Sequence, residues 1–287
     1  MFCAEEDLME LPELSSKYEE LKSLIASCGS IAVAFSGGVD STFLLYAARE
    51  ALPGNVLAVT GVSGSFPARE TKETEDFCGK YEIPQKFVKI DEMSIRGFAE
   101  NRPDRCYLCK KEIFGGLIRA AAEEGITVVA EGSNVDDDGD YRPGHIAIRE
   151  LGVRSPLREA GFTKSEIRQM SAQLGLPTAS KPSFACLATR FPYGERITKE
   201  KLKMVDAAEQ CLLDLGFEQL RVRMHGDMAR IELLPSDFDR FMQEEIRIPV
   251  YNRLKALGFS YISLDLAGYR TGSMNEVLSD EILEASR

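Results

Sequence analysis

Apolar positions return along the first half of this chain with two periods. Leu14, Tyr18, Leu21, Leu24 and Ile25 recur at helical spacing and predict a helix over 14–27. The unbroken apolar run 31–35 then reads as a strand buried on both faces, and 42–52 returns to an amphipathic helix. Strands are expected again at 56–60, 86–90 and 126–131, separated by helical stretches at 68–81 and 107–124. This alternation predicts an α/β fold, a mostly parallel sheet with helices on both faces. Ligands of such sheets bind beyond the carboxyl ends of the strands. Three polar segments fall there: 36–42, Gly61-Val62-Ser63-Gly64-Ser65, and 131–137.

The pattern changes after Ser155-Pro156-Leu157. A helix over 164–174 opens with Thr163 and Glu166 in capping-box spacing. The stretch 178–194 follows, in which Pro182 and Pro192, with Pro177 just ahead, deny regular hydrogen bonding and predict a linker or active-site loop. Beyond it lie a helix at 199–215, strands at 219–224 and 228–234, helical residues from 236 to 257 broken near Pro249, and a strand at 260–266. Leu215-Gly216-Phe217 and Leu257-Gly258-Phe259 each end a helix and start a strand, a weak repeat suited to a small α+β domain. The expected organisation is a tail at 1–13, an α/β domain at 14–180, an active-site loop at 181–197 and an α+β domain at 198–287.

Composition narrows the chemistry. The chain has 287 residues, 44% hydrophobic and 28% charged, enough for a core and for two domains. Its net charge of −11 argues against a broad nucleic-acid footprint and favours a small substrate. No apolar run reaches membrane-spanning length, and residues 1–13 are acidic where a signal peptide would be basic, so no membrane partner and a cytoplasmic location are expected. Seven cysteines in that setting do not suggest a disulfide framework. Cys3, Cys28, Cys78 and Cys211 are scattered singly and read as incidental thiols.

The segment Ser36-Gly37-Gly38-Val39-Asp40-Ser41-Thr42 joins a strand to a helix and reads as a phosphate cradle. Adjacent glycines let backbone N–H groups approach an anion at the positive end of a helix. Ser36, Ser41 and Thr42 add hydroxyl donors, and Asp40 is a candidate Mg2+ ligand or helix cap. No lysine follows the glycines, so this is not the Walker pattern. The loop Gly132-Ser133-Asn134-Val135-Asp136 offers further polar groups, equally suited to a solvated turn.

Cys106 and Cys109 form a C-x-x-C pair, and Cys186 lies in the proline-rich loop. If the three converge, they could serve zinc with a fourth ligand, an iron–sulfur cluster with one free iron, or a redox thiol set. Arg105, Lys110 and Lys111 nearby would favour thiolate. Arg221 and Arg223 lie two apart on a strand, hence on one face, and paired guanidinium groups suit a phosphate. Arg190 and Arg196 are further candidates, and Glu232 could act as a base or orient an arginine.

Ser36 to Thr42 resembles the PP-loop of the ATP pyrophosphatase superfamily, whose members split ATP to AMP and pyrophosphate. That resemblance implies an adenylating enzyme. In such relatives a Gly-Ser/Thr-Asn-x-Asp segment closes over the nucleotide, matched here by Gly132, Ser133, Asn134 and Asp136. With Lys181-Pro182-Ser183-Phe184-Ala185-Cys186-Leu187-Ala188-Thr189-Arg190 and the following Pro192-Tyr193-Gly194, nearly the whole chain resembles the LarE family. These are ATP-dependent sulfur transferases that make the organic ligand of the nickel-pincer nucleotide used by lactate racemase.

The resemblance implies ATP and Mg2+, and adenylation of a carboxylate of pyridinium-3,5-dicarboxylate mononucleotide before a sulfur nucleophile displaces AMP. In one branch the cysteine matching Cys186 surrenders its sulfur and becomes dehydroalanine. In another, three cysteines hold a [4Fe-4S] cluster, and the presence of Cys106 and Cys109 makes this chain similar to that branch. Ser63 and Phe66 are the candidates nearest adenine. A sulfur donor and nickel-insertion proteins are the implied partners, and a homo-oligomer is expected. The competing expectations are a tRNA thiolation enzyme, which the acidic composition disfavours, an amidating ligase, and a non-enzymatic nucleotide sensor or cluster carrier.

Overall fold

In the computed structural model, which describes residues 11–137, 143–182 and 185–278, strand burial follows directly from alternation. The first helix, α1 (Leu11–Ala26), sets Leu14, Tyr18, Leu21 and Ile25 against the sheet. Strand β1 (Ile31–Ala34) then sends Ile31 and Val33 into that same core and Ala32 into a second one on the opposite face. Helix α2 (Val39–Ala51) leads to β2 (Val56–Val62), where Val56 and Ala58 join the first core and Leu57 and Val59 the second. Because side chains alternate across a strand, a strand between two helical layers must be apolar at every position.

Helix α3 (Ala68–Tyr81), β3 (Gln85–Lys89), α4 (Arg105–Glu123) and β4 (Val129–Ala130) complete a four-stranded sheet in the order β3-β2-β1-β4, with each pair parallel. The fold is the expected α/β sheet. The strand expected over 126–131 is shorter than its apolar run. Arg154 closes its outer edge, accepting from Glu131 N at 2.9 Å and donating its own N–H to Val129 O at 2.9 Å, and beyond Glu131 the chain turns toward α2. Three helices follow: α5 (Pro143–Glu150), α6 (Pro156–Glu159) and α7 (Lys164–Gln173), the last opened by the expected Thr163–Glu166 capping box. Neither α5 nor α6 is evident from periodicity, for each is too short to repeat a pattern. Among the described residues, no helix is long and apolar enough to cross a membrane.

The second sheet is mixed. Helix α8 (Lys199–Asp214) leads into the hairpin β5 (Leu220–His225) and β6 (Met228–Leu233), then α9 (Phe238–Phe241), α10 (Glu244–Ala256) and β7 (Tyr261–Leu264). The order is β5-β6-β7, antiparallel and then parallel. The Leu-Gly-Phe repeat marks two equivalent helix ends: Phe217 N donates to Leu212 O at 3.2 Å and Phe259 N to Leu254 O at 3.3 Å, with Gly216 and Gly258 at φ +80° and +109°. The helical break lies at Met242-Gln243, not near Pro249, which continues inside α10. Val250 and Leu254, buried just after it, hold the helix against the sheet and offset the missing proline N–H.

Apolar packing joins the start of α4 to the second sheet. Phe98 and Cys109 belong to the same buried cluster as Leu187, Ala188, Phe191, Leu202, Leu220 and Val222. The first turn of α4 is thereby held against the loop of Cys186.

Candidate active site

The turn between β1 and α2 needs its glycines. Gly37 sits at φ +71°, and a Cβ there would meet Thr74 Cγ2 at 3.1 Å. Gly38 is the extended N-cap of α2, and no side chain caps the helix. Asp40 is therefore not the cap; it stands in the first turn. Ser41 Oγ donates to Gly38 O at 3.1 Å, accepts from Ser36 N at 3.3 Å and lies 3.1 Å from Ser36 Oγ. Thr42 is fully buried, and its hydroxyl has no hydrogen-bond partner among the described residues.

The loop after β4 closes on this turn. A Cβ on Gly132 would lie 2.9 Å from Ser41 N and 3.1 Å from Asp40 Cβ, so only a glycine allows the approach. Glu131 is buried and accepts from Ser133 N at 3.0 Å, Ser133 Oγ at 2.8 Å and Ser155 Oγ at 2.5 Å. Asn134 Nδ2 donates to Asp40 at 3.3 Å, while Asp136 accepts from Lys164 N at 2.6 Å and so fastens the start of α7.

Two lysines that are not candidate site residues in the sequence reading complete the cradle, although Lys181 opens the segment that carries the family resemblance. Lys164 Nζ contacts Asp40 Oδ2 at 2.5 Å. Lys181 Nζ donates to Gly37 O at 3.1 Å and pairs with Glu70 at 2.6 Å and Glu73 at 2.5 Å. Burial pushes the Glu70 carboxyl above its ordinary value against the opposing pull of Lys181. Lys164 reads in sequence as an ordinary first helical residue, and Lys181 as part of a loop.

Cys106 and Cys109 occupy the first turns of α4, and Cys186 precedes the 3-10 turn Leu187–Arg190. Between them lies the buried Arg105, which donates to Asn101 Oδ1 at 2.5 Å, Ala188 O at 2.7 Å and Cys106 Sγ at 3.3 Å. All three partners are uncharged unless a thiol ionises. Burial would lower the Arg105 pKa, but the Cys106 and Cys186 sulfurs raise it. Burial, reinforced by Cys186 and Glu92, raises the Cys109 thiol. Cys186 is exposed, yet enough protein surrounds its thiol that desolvation pushes it up against the pull of Arg105. Of the three basic neighbours only Arg105 faces the sulfurs directly: Lys111 pairs with Glu150 at 3.1 Å, and Lys110 lies over the Phe114 ring. Among the described residues no three His, Cys, Asp or Glu side chains close to the spacing of a single metal ion. Ser183 and Phe184 of this loop lie outside the described residues.

The arginines form a second polar centre, buried in the second sheet. Arg190 is paired with Glu209 at 2.6 and 3.1 Å, both side chains almost fully enclosed. Burial would push the Glu209 carboxyl up, but the Arg190 charge and hydrogen bonds hold it below the usual range. Arg221 and Arg223 share a face of β5, and both are buried rather than turned to solvent. Arg221 lies over the Tyr269 ring, and burial with the neighbouring Arg190 charge brings its pKa down to about 10. Arg223 donates to Glu232 at 2.6 Å, Ser273 Oγ at 2.8 Å and Thr189 O at 2.8 Å. Glu232 is fully buried, and its Oε2 has no partner among the described residues. Arg196 is exposed.

Ser63 stands at the end of β2, where its hydroxyl donates to Glu92 at 2.6 Å, and Phe66 N donates to Ser63 O at 3.2 Å. Residues on either side of Cys186 thus touch the Gly37 turn and the buried arginines. Lys181 touches the turn five residues before Cys186, and Thr189, three residues after it, accepts from Arg223.

No protein-family model matches the chain. It is 41% identical over 266 residues to an uncharacterised protein of Synechocystis sp., covering 93% of this chain and 99% of that protein. It is 37% identical over 267 residues to the pyridinium-3,5-bisthiocarboxylic acid mononucleotide synthase of Lactiplantibacillus plantarum, covering 93% of this chain and 96% of that protein. A more distant relative, a subunit of the glutamine-hydrolysing GMP synthase from Thermoplasma volcanium, is 30% identical over 196 residues, 62% of each chain.

Proposed function

The chain belongs to the LarE family of pyridinium-3,5-bisthiocarboxylic acid mononucleotide synthases, and from that membership we propose that it is an ATP-dependent sulfurtransferase acting on pyridinium-3,5-dicarboxylate mononucleotide. The observation that carries this reading is the position of Cys186, between a phosphate turn and a buried arginine pair. A substrate carboxylate attacks the α-phosphorus of ATP, the bond to pyrophosphate breaks, and pyrophosphate leaves with the electron pair. Sulfur then attacks the adenylated carbonyl carbon; the new C–S bond forms as the C–O bond to AMP breaks. AMP is the better leaving group, and holding sulfur against the acyl carbon is worth about 7–11 kcal/mol over a free encounter.

The residues suit these roles. The Gly37-Gly38 turn and the uncapped start of α2 fit the nucleotide phosphates, and the unpartnered Thr42 hydroxyl would gain an acceptor there. Asp40, flanked by Lys164 and Asn134, fits a Mg2+ that would screen phosphate charge. Arg221 and Arg223 suit the mononucleotide phosphate, with the unpartnered Glu232 oxygen available to a substrate donor.

The donor set also suits an iron–sulfur cluster. Three thiols couple electrostatically around a buried guanidinium that has no carboxylate partner among the described residues, a counter-charge for an anionic cluster. Cys106, Cys109 and Cys186 would hold it, and it would supply sulfide as the nucleophile. In protein without cluster Cys186 itself supplies the sulfur: after acyl transfer its Cα proton is lost, the Cβ–Sγ bond breaks and dehydroalanine remains.

The test is direct. Protein incubated with ATP, Mg2+ and the dicarboxylate mononucleotide is expected to release pyrophosphate and to yield a product in which sulfur replaces carboxylate oxygen, read by mass spectrometry. Ammonia in the product would make the chain an amidating ligase, and pyrophosphate release that requires tRNA would make it a tRNA-modifying enzyme; either result overturns the proposal.

A further inference from the structure

Glu92 is a carboxylate enclosed by protein beside the sulfurs. It is 3% exposed and opens the 3-10 turn Glu92–Ser94 just beyond β3, where Ile90 N donates to Val62 O at 2.9 Å and ties the segment to β2. Its partners among the described residues are neutral donors from the loop at the end of β2. Ser63 Oγ donates at 2.6 Å and Ser65 N at 3.0 Å, and Ser65 Oγ donates as well. Asp40, Glu70 and Glu209 each meet a lysine or arginine; among the described residues Glu92 meets neither. A buried carboxylate held only by neutral donors is costly, and it persists where its hydrogen bonds are fully made.

Those hydrogen bonds lead to Cys186. Ser65 O accepts from Leu187 N at 3.1 Å, which fixes the residue after the cysteine. From the opposite side Arg105 holds Ala188 O at 2.7 Å. The Cys186 loop is therefore gripped at two successive residues, by Ser65 at Leu187 and by Arg105 at Ala188. On the Ser65 side the grip is set by a carboxylate anchored to the sheet.

We propose that Glu92 is a positioning residue for the sulfur-transfer half of the reaction: by fixing Ser63 and Ser65 it sets where Cys186 presents sulfur to the activated carboxylate. The inference rests on the sulfur-insertion reading above. Once the adenylate exists, sulfur and water compete for its acyl carbon, and a displacement of about 1 Å lowers the rate of an aligned attack on the order of 10²-fold. Loss of Glu92 therefore uncouples the two halves of the reaction. ATP is still consumed, but the adenylate hydrolyses.

Glu92→Gln keeps the size of the side chain while turning one acceptor oxygen into an N–H donor that opposes the serines. Pyrophosphate and thiocarboxylate are measured in the same reaction, alongside Tm. The expected result is mononucleotide-dependent pyrophosphate release within about twofold of wild type and a thiocarboxylate-to-pyrophosphate ratio lower by about tenfold or more. An unchanged ratio, including one in which both yields fall together, overturns the inference. Should Glu92→Gln fail to fold, Ser65→Ala tests the same link with a smaller change. The same fall in ratio supports the proposal, and an unaltered ratio overturns it. Wild-type protein that forms no thiocarboxylate would instead remove the sulfur-insertion reading, an outcome distinct from wild type and variant that couple equally well.

Discussion

Arg190 and Glu209 show how a single residue can be legible in sequence yet differently employed in the fold. Arg190 stands out beside Cys186 as a candidate for substrate phosphate, but its guanidinium is enclosed against Glu209, whose Oε1 also accepts from Val222 N at 3.0 Å. Removing one partner strands a buried charge, so Glu209→Ala is expected to lower unfolding free energy by about 3–5 kcal/mol in urea denaturation. Arg190 holds the Glu209 carboxyl below its ordinary 4.5 in the folded chain, so the stabilisation is complete above that pH and drains away as pH falls through the folded value. Glu209→Gln should accordingly show a shallower acid-dependent loss of stability than wild type. Arg221 makes the opposite case. Its lowered pKa reflects a cation crowded by burial and by Arg190, a state that a bound anion relieves. Arg221→Ala is expected to raise the KM for the mononucleotide about tenfold or more, the scale of one charge-assisted hydrogen bond; unchanged kinetics would remove it from the site.

Among the elements, those with long patterns were the legible ones. Helix α3 spans Ala68–Tyr81, as the periodicity of 68–81 requires, and α7 starts at the capping box because local hydrogen bonds close it. Short elements depend on their neighbours. β4 is cut to Val129–Ala130 by the turn that brings Gly132 onto α2, and Pro249 stays helical because tertiary burial outweighs one missing hydrogen bond. The Gly132 contact is with backbone, which no rotamer change relieves. Gly132→Ala therefore overpacks the phosphate turn, at a cost of about 1–3 kcal/mol. Calorimetric titration is expected to show ATP affinity weakened about tenfold, with the far-UV circular dichroism of wild type retained.

At the scale of the whole molecule, the second core draws the start of α4 against the loop of Cys186, because Cys109 and Phe98 pack among Leu187, Ala188 and Phe191. That convergence motivates a prediction about the intact protein. Prepared without oxygen, it is expected to be brown and to contain iron and acid-labile sulfide; colourless protein that takes up no cluster on reconstitution would reject that role. If such protein still made thiocarboxylate, peptide mass spectrometry should find Cys186 converted to dehydroalanine, and an intact Cys186 after turnover would exclude sacrifice. By itself the sequence determined the parallel α/β sheet, the glycine turn at its carboxyl edge and the candidate thiols, because periodicity, glycine geometry and cysteine spacing are local properties of a chain. Only the tertiary structure decided that Lys164 and Lys181 reach the phosphate turn, that Arg105 and Glu92 flank the sulfurs, and that Arg190 pairs with Glu209. Those partners are separated by long stretches of chain, and each pairing follows from packing and burial that no local pattern encodes.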